Sequence, residues 1–150
     1  MKQPLNEMKL TFPSRSANEA FARAAVASFL SQLDPAVDEL ADLRTAVSEA
    51  VTNCIVHAYR DTIGTVTIQM RLYADGRTVI KIRDRGCGIP NVTQAMEPLY
   101  TTGGDDRSGL GFSVMESFTD RLRVTSRPGR GTTVTLEKYI AVRERQASAV

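Results

Sequence analysis

The chain has no tryptophan, one histidine and two cysteines among its 150 residues, and each scarcity narrows what it can be. Cys54 and Cys87 have neither the paired spacing of a metal site nor the number for a disulfide framework, which suits a reducing cytoplasm. No apolar run approaches bilayer-spanning length and no basic-then-apolar leader opens the sequence, so a cytoplasmic protein without membrane contact is expected. Charge of one sign is also lacking. The 19 Lys and Arg against 17 Asp and Glu leave a formal +2, and the basic residues are scattered. A direct nucleic-acid partner would favour a strong basic stripe and is therefore not expected. Familiar nucleotide signatures are missing too. There is no Gly-x-x-x-x-Gly-Lys-Ser/Thr loop, and "GLGFSV" places Val114 where a dinucleotide fingerprint needs its third glycine. The His-Arg-Asp and Asp-Phe-Gly loops of the protein kinases do not occur.

What is present suits one domain spanning 1–150, with 42% hydrophobic and 24% charged residues and enough length to bury a core. Met8, Leu10 and Phe12 alternate with Lys9 and Thr11, which predicts a strand. A helix should open at Ser16 or Asn18 and run to about Leu33, with Phe21, Ala24, Ala25, Ala27, Phe29 and Leu30 as its apolar positions. Asp34-Pro35 restarts the chain for a second helix from about Ala36 to Tyr59. Two strands in "GTVTIQMRLYADGRTVIKIRD" turn at Ala74-Asp75-Gly76. A turn-rich stretch from Gly86 to Ser108 precedes a helix from Gly109 to about Phe118. The last hairpin pairs Arg121–Ser126 with Thr132–Tyr139 across Pro128-Gly129, and residues 141–150 read as a frayed tail. This order predicts an α+β fold, a two-layer α/β sandwich whose mixed, mostly antiparallel sheet carries helices on one face.

Chemistry gathers at three places. Glu49, Asn53 and His57 stand four apart and so stack on one face of an otherwise core-like helix. An Asn oxygen suits Mg²⁺, and a nearby Glu is able to accept a hydroxyl proton. The same line is also compatible with Asn53 and His57 bonding to backbone while Glu49 faces water. Asp84 ends the apolar strand Val79–Ile82 where the chain enters "DRGCGIP". A carboxylate there suits an amino group such as the exocyclic amine of adenine, or it simply starts a turn. The glycines of "SGLGF" would let a helix N-terminus opening at Gly109 face an anion, or they form an ordinary turn.

The constellation is more specific than its parts. Glu49/Asn53, then Asp84-Gly86-Gly88, then Gly109-Leu110-Gly111, then Gly131-Thr132 follow one another through the predicted elements. In that order they resemble the Bergerat-type ATP-binding fold shared by gyrase, the Hsp90 chaperone, histidine kinases and MutL. "NEMKLTFPSRSANEAFAR", "LRTAVSEAVTNCIVHAY", "EPLYTTGGDDRSGLGFSVMESF" and "GRGTTVTLEKYI" are similar, more closely, to the small serine-protein kinases that act as anti-sigma factors in bacterial sporulation. The resemblance implies a homodimer that binds ATP or ADP with Mg²⁺. It also implies that the protein holds a sigma factor of the sigma F type and phosphorylates a serine of an anti-anti-sigma protein.

Carried over residue by residue, it makes Glu49 the general base and Asn53 the Mg²⁺ ligand. Asp84, within its Gly86 and Gly88 loop, would read adenine, with Thr132 supporting it through water. Asn91 to Ser108 would be a lid in which Thr101, Thr102 and Ser108 offer hydroxyls to phosphate and Arg107 offsets charge on the γ-phosphate. Gly109, Leu110 and Gly111 complete the phosphate side. Glu19 and Arg23 would dock partners, or form a plain i,i+4 ion pair worth about 0.3–0.5 kcal/mol. Cys54 and Cys87 read as packing residues, with Cys87 open to oxidation when ATP is absent. An autokinase acting on its own histidine is excluded, because His57 lies inside the nucleotide helix. A chaperone or topoisomerase fragment would need a transducer domain for which 150 residues leave no room. The remaining alternatives are a related stress-response anti-sigma kinase and a nucleotide-gated anti-sigma module without turnover.

Overall fold

The computed structural model describes residues 3–96 and 111–141. Strand β1 (Asn6–Pro13) leads into helix α1 (Ala17–Leu30), a 3-10 turn (Ser31–Leu33) and helix α2 (Val37–Thr52). A π-helical segment (Asn53–Ala58) extends α2. Strands β2 (Thr65–Leu72) and β3 (Arg77–Asp84) form the central hairpin. Short helices α3 (Val92–Ala95) and α4 (Phe112–Ser117) precede β4 (Arg121–Arg127) and β5 (Gly131–Tyr139). The sheet order is β1-β2-β3-β5-β4, and each pairing among the described residues is antiparallel.

Strand periodicity explains the two layers. Val66, Ile68, Met70 and Leu72 of β2, Ile80 and Ile82 of β3, and Val134 and Leu136 of β5 all point to one buried face. Against them pack Ala22, Val26 and Leu30 of α1, and Leu43, Ala46, Val47 and Val51 of α2. Those helix spacings of three and four residues give one apolar stripe each. The other sheet face carries Thr67, Gln69, Lys81 and Arg83, none of them buried. The expected α+β sandwich with helices on one face is the observed architecture.

Three local expectations change. On α1 the core is reached through Ala22 and Val26, whereas Phe21 is 50% exposed. Phe21 lies beside the edge strand β1, where the sheet ends, and makes an edge-on ring contact with Phe12 at 6.4 Å. The second helix does not stay α-helical to Tyr59 but widens to π geometry from Asn53, in the middle of the polar line. Within the turn-rich stretch stands α3, whose cap Asn91 accepts from the Gln94 N–H at 2.9 Å. The late helix is seen from Phe112, capped by Gly111, and its expected start at Gly109 lies outside the described residues. The expected tail lies outside them too, except Ala141.

Candidate functional site

Asp84 follows Thr78, Ile80 and Ile82 in the inward row of β3, so strand alternation turns a carboxylate into the core layer at the sheet's end. Register sets it opposite Val66 on one side and Thr132 on the other. One oxygen, Oδ1, accepts the backbone N–H of Gly86 at 2.9 Å and of Thr132 at 3.2 Å. The buried Cys54 thiol lines the same cavity as Asp84. Burial pushes the Asp84 carboxyl above the usual carboxylate range, and the Gly86 and Thr132 N–H groups pull against that rise. Burial first, then the neighbouring Asp84 charge, hold the Cys54 thiol well above its ordinary value.

Asp84 borders a cavity of about 150 Å³ walled by Ala50, Ile82, Phe112 and Val134, with Asn53, His57 and Thr132 as further polar groups. A dry protein cavity of that order accepts benzene, so a flat aromatic ring fits. An apolar slot with a carboxylate in its wall selects a planar ligand that carries an amine.

The glycine loop closes the cavity by backbone contact. A Cβ on Gly86 would strike the Ala58 carbonyl, and that approach lets the Cys87 N–H donate to the Ala58 oxygen at 3.1 Å. The Ser126 hydroxyl, which the sequence reading passed over, joins three pieces. It accepts from the Ile89 N–H at 2.8 Å, donates to the Gly131 carbonyl at 3.0 Å and lies 2.8 Å from the Thr132 hydroxyl. Nothing in a strand serine announces that role. Tyr59 closes the π segment. Its hydroxyl donates to the Thr65 carbonyl at 2.8 Å and accepts from the Arg85 N–H at 2.6 Å, pinning the π segment between two strands. Asn91 and Gln94 also line the cavity. Their spacing as cap and third residue of a helix is the signal that would have found them.

The polar line on α2 divides between two spaces. Asn53 and His57 face the cavity, while Glu49 lines a groove between α1 and α2 with Arg23, Arg44, Thr45 and Ser48. Glu49 is backed by Gly111. A Cβ there would collide with the Glu49 carboxylate, and φ of +67° also favours glycine. Glu19 accepts from the Ser48 hydroxyl at 2.6 Å and pairs with Arg23 at 3.8 Å, so these two residues border the same groove. Thr101, Thr102, Arg107, Ser108, Gly109 and Leu110 lie outside the described residues. Gly88 lines the cavity together with Cys87.

Among the described residues no group of three or more His, Cys, Asp or Glu is placed to hold a metal ion. The donor that fits Mg²⁺ is the Asn53 amide oxygen, which is consistent with an ion that draws most of its shell from phosphate and water. No helix among the described residues is long and apolar enough to cross a membrane.

Comparison with known proteins gives a consistent picture. Residues 12–138 match the family model of the histidine kinase-like ATPase domain. A protein named anti-sigma F factor from Caldanaerobacter subterraneus subsp. tengcongensis is 52% identical over 136 residues, covering 90% of this chain and 94% of the relative. Another of that name from Clostridium beijerinckii is 53% identical over 139 residues, covering 91% and 96%. Among solved structures, the RsbU and RsbW domains of a Mycobacterium tuberculosis protein superpose with a TM-score of 0.67 at 21% identity. That match covers 91% of this chain and 33% of the other, and it bears on the fold alone.

Proposed function

The chain belongs to the anti-sigma F factors within the histidine kinase-like ATPase family, and from that premise we propose a nucleotide-dependent switch that is also a serine kinase. It binds ATP and ADP, holds a sigma factor of the sporulation sigma F type, and phosphorylates a serine of an anti-anti-sigma protein. A homodimer in the cytoplasm belongs to the same reading. One observation carries it. The line through Glu49, Asn53 and His57 begins in the α1–α2 groove beside Glu19 and Arg23 and ends in the cavity beside Asp84. A residue at that boundary is within reach of a nucleotide on one side and a docked protein on the other.

Asp84 accepts the adenine amine, and the phosphates run past Asn53 toward Glu49. Mg²⁺ bound with Asn53 would supply neutralisation of phosphate charge. Glu49 takes the proton of the acceptor serine as its oxygen bonds to the γ-phosphorus. The bond from that phosphorus to the β–γ bridging oxygen breaks, and ADP departs with the bonding pair. The lid contacts proposed for Thr101, Thr102, Arg107 and Ser108 belong to the phosphate side of this scheme.

The test incubates purified protein with γ-labelled ATP and candidate anti-anti-sigma proteins, comparing wild type with Glu49→Gln. The variant should retain nucleotide affinity while transfer falls on the order of 10²–10⁴-fold. Transfer at the wild-type rate removes Glu49 as the base. Nucleotide-dependent sigma binding without any labelled protein would leave a nucleotide-gated module in place of a kinase.

A further inference from the structure

Ser126 stands behind the cavity wall and not in it, yet its hydroxyl meets three groups at once. A serine oxygen has one proton to give and two lone pairs to receive with. The Gly131 carbonyl, 3.0 Å away, can only accept, so it takes the proton. One lone pair holds the Ile89 N–H at 2.8 Å, and the other is left for the Thr132 hydroxyl at 2.8 Å. Thr132 is then the donor in that pair, and its single proton is spent behind the cavity that it lines. We infer that Ser126 is a positioning residue that sets base specificity: by taking the proton of Thr132 it leaves that hydroxyl as an acceptor toward the ligand, beside the Asp84 carboxylate. The inference rests on the nucleotide reading above and deepens it. Sheet register puts Thr132 directly opposite Asp84, whose Oδ1 accepts the Thr132 N–H at 3.2 Å. With both side chains limited to accepting, this corner of the cavity favours a ring edge rich in N–H bonds, and the exocyclic amine of adenine has two. A 6-oxopurine brings a carbonyl oxygen to the same corner, where lone pairs would face lone pairs. A water bridging Thr132 to the ring would spend one of its protons on Thr132, so it too reaches the base poorer in donors.

The alternative is that Ser126 only braces the glycine loop and the β4–β5 hairpin, and the two roles separate in the choice between nucleotides. ADP and IDP are compared by calorimetry, since they differ only in a 6-amine against a 6-carbonyl with a proton on N1. Ser126→Ala frees the Thr132 hydroxyl to turn its proton toward the ligand. The preference for ADP over IDP should then fall about threefold to tenfold, the net range of one hydrogen bond. Ser126→Thr keeps the hydroxyl and should restore the wild-type preference. Ser126→Cys, close in size but a poor donor and acceptor, should shift it in the same direction as alanine and serves if the alanine variant fails to fold. With Thr132→Val in place there is no hydroxyl to steer, and adding Ser126→Ala should leave the ratio of the two affinities where Thr132→Val set it. A Ser126→Ala protein that loses ADP and IDP in equal proportion, or that shifts their ratio just as much in the Thr132→Val background, overturns the inference while leaving the nucleotide reading intact. Wild-type protein that binds neither ADP nor ATP removes both.

Discussion

Asp84 is only 6% exposed, and its Oδ1 accepts the Gly86 and Thr132 N–H groups. Burial raises its carboxyl pKa above the unfolded value, so in the window between those two values the folded protein holds more protons than the unfolded one. Stability therefore falls as pH rises through that window, and above it the charged carboxylate is a standing cost to the empty protein. Asp84→Asn keeps an Oδ1 for the Gly86 and Thr132 N–H groups and removes the charge. Without nucleotide it should melt above wild type at neutral pH, with the gap closing below the carboxylate range, as read by calorimetry. In the same variant a donor NH₂ faces the adenine amine, so ADP should weaken far more than GDP. Equal loss of both would remove Asp84 as the reader of the base. Stability and recognition thus pull this residue in opposite directions, as they commonly do at binding sites.

At the scale of elements, the junction after α2 holds the site together. Tyr59 ends the π segment with a hydroxyl that bonds the Thr65 carbonyl and the Arg85 N–H, next to Asp84. Tyr59→Phe leaves both backbone groups without that partner and should cost about 1–3 kcal/mol. Urea titration should show a lower midpoint at unchanged slope, because the surface exposed on unfolding is the same. An unchanged midpoint would mean that water replaces the hydroxyl. The helix itself was legible in the spacing of Leu43, Ala46, Val47, Ala50 and Val51. Its change to π geometry was not, since intrinsic propensities for the two registers do not differ in any way a residue pattern displays. Likewise Asp84 could be placed inward by strand alternation. The roles of Ser126 and Tyr59 depend on which loops happen to cross them.

Across the whole molecule, the buried apolar residues described form one cluster running from Phe12 to Ile140. A single shared core of this size unfolds as one cooperative unit. A ligand that binds only the folded state then stabilises all of it. ADP at a hundredfold its dissociation constant should add about 2.7 kcal/mol and raise the melting temperature by about 5–10 °C. The same concentration of ADP should add little to Asp84→Asn. Two separated transitions, or a melting temperature indifferent to ADP, would contradict a nucleotide site built across α2, β3 and β5.

Periodicity and order, which are local properties, determined that this chain is a two-layer α+β sandwich, because apolar spacing of two or of three and four residues selects strand or helix and its buried face. The ordered boxes Glu49/Asn53, Asp84-Gly86-Gly88 and Gly131-Thr132 likewise pointed to the family from residue types alone. Tertiary structure decided what the boxes touch. Asp84 shares a cavity wall with Cys54, thirty residues earlier in the chain, and Glu49 is divided from Asn53 by one helical turn yet opens on a different space. Such contacts are made between elements far apart in sequence, and their geometry exists only once sheet register and helix packing have brought those elements together.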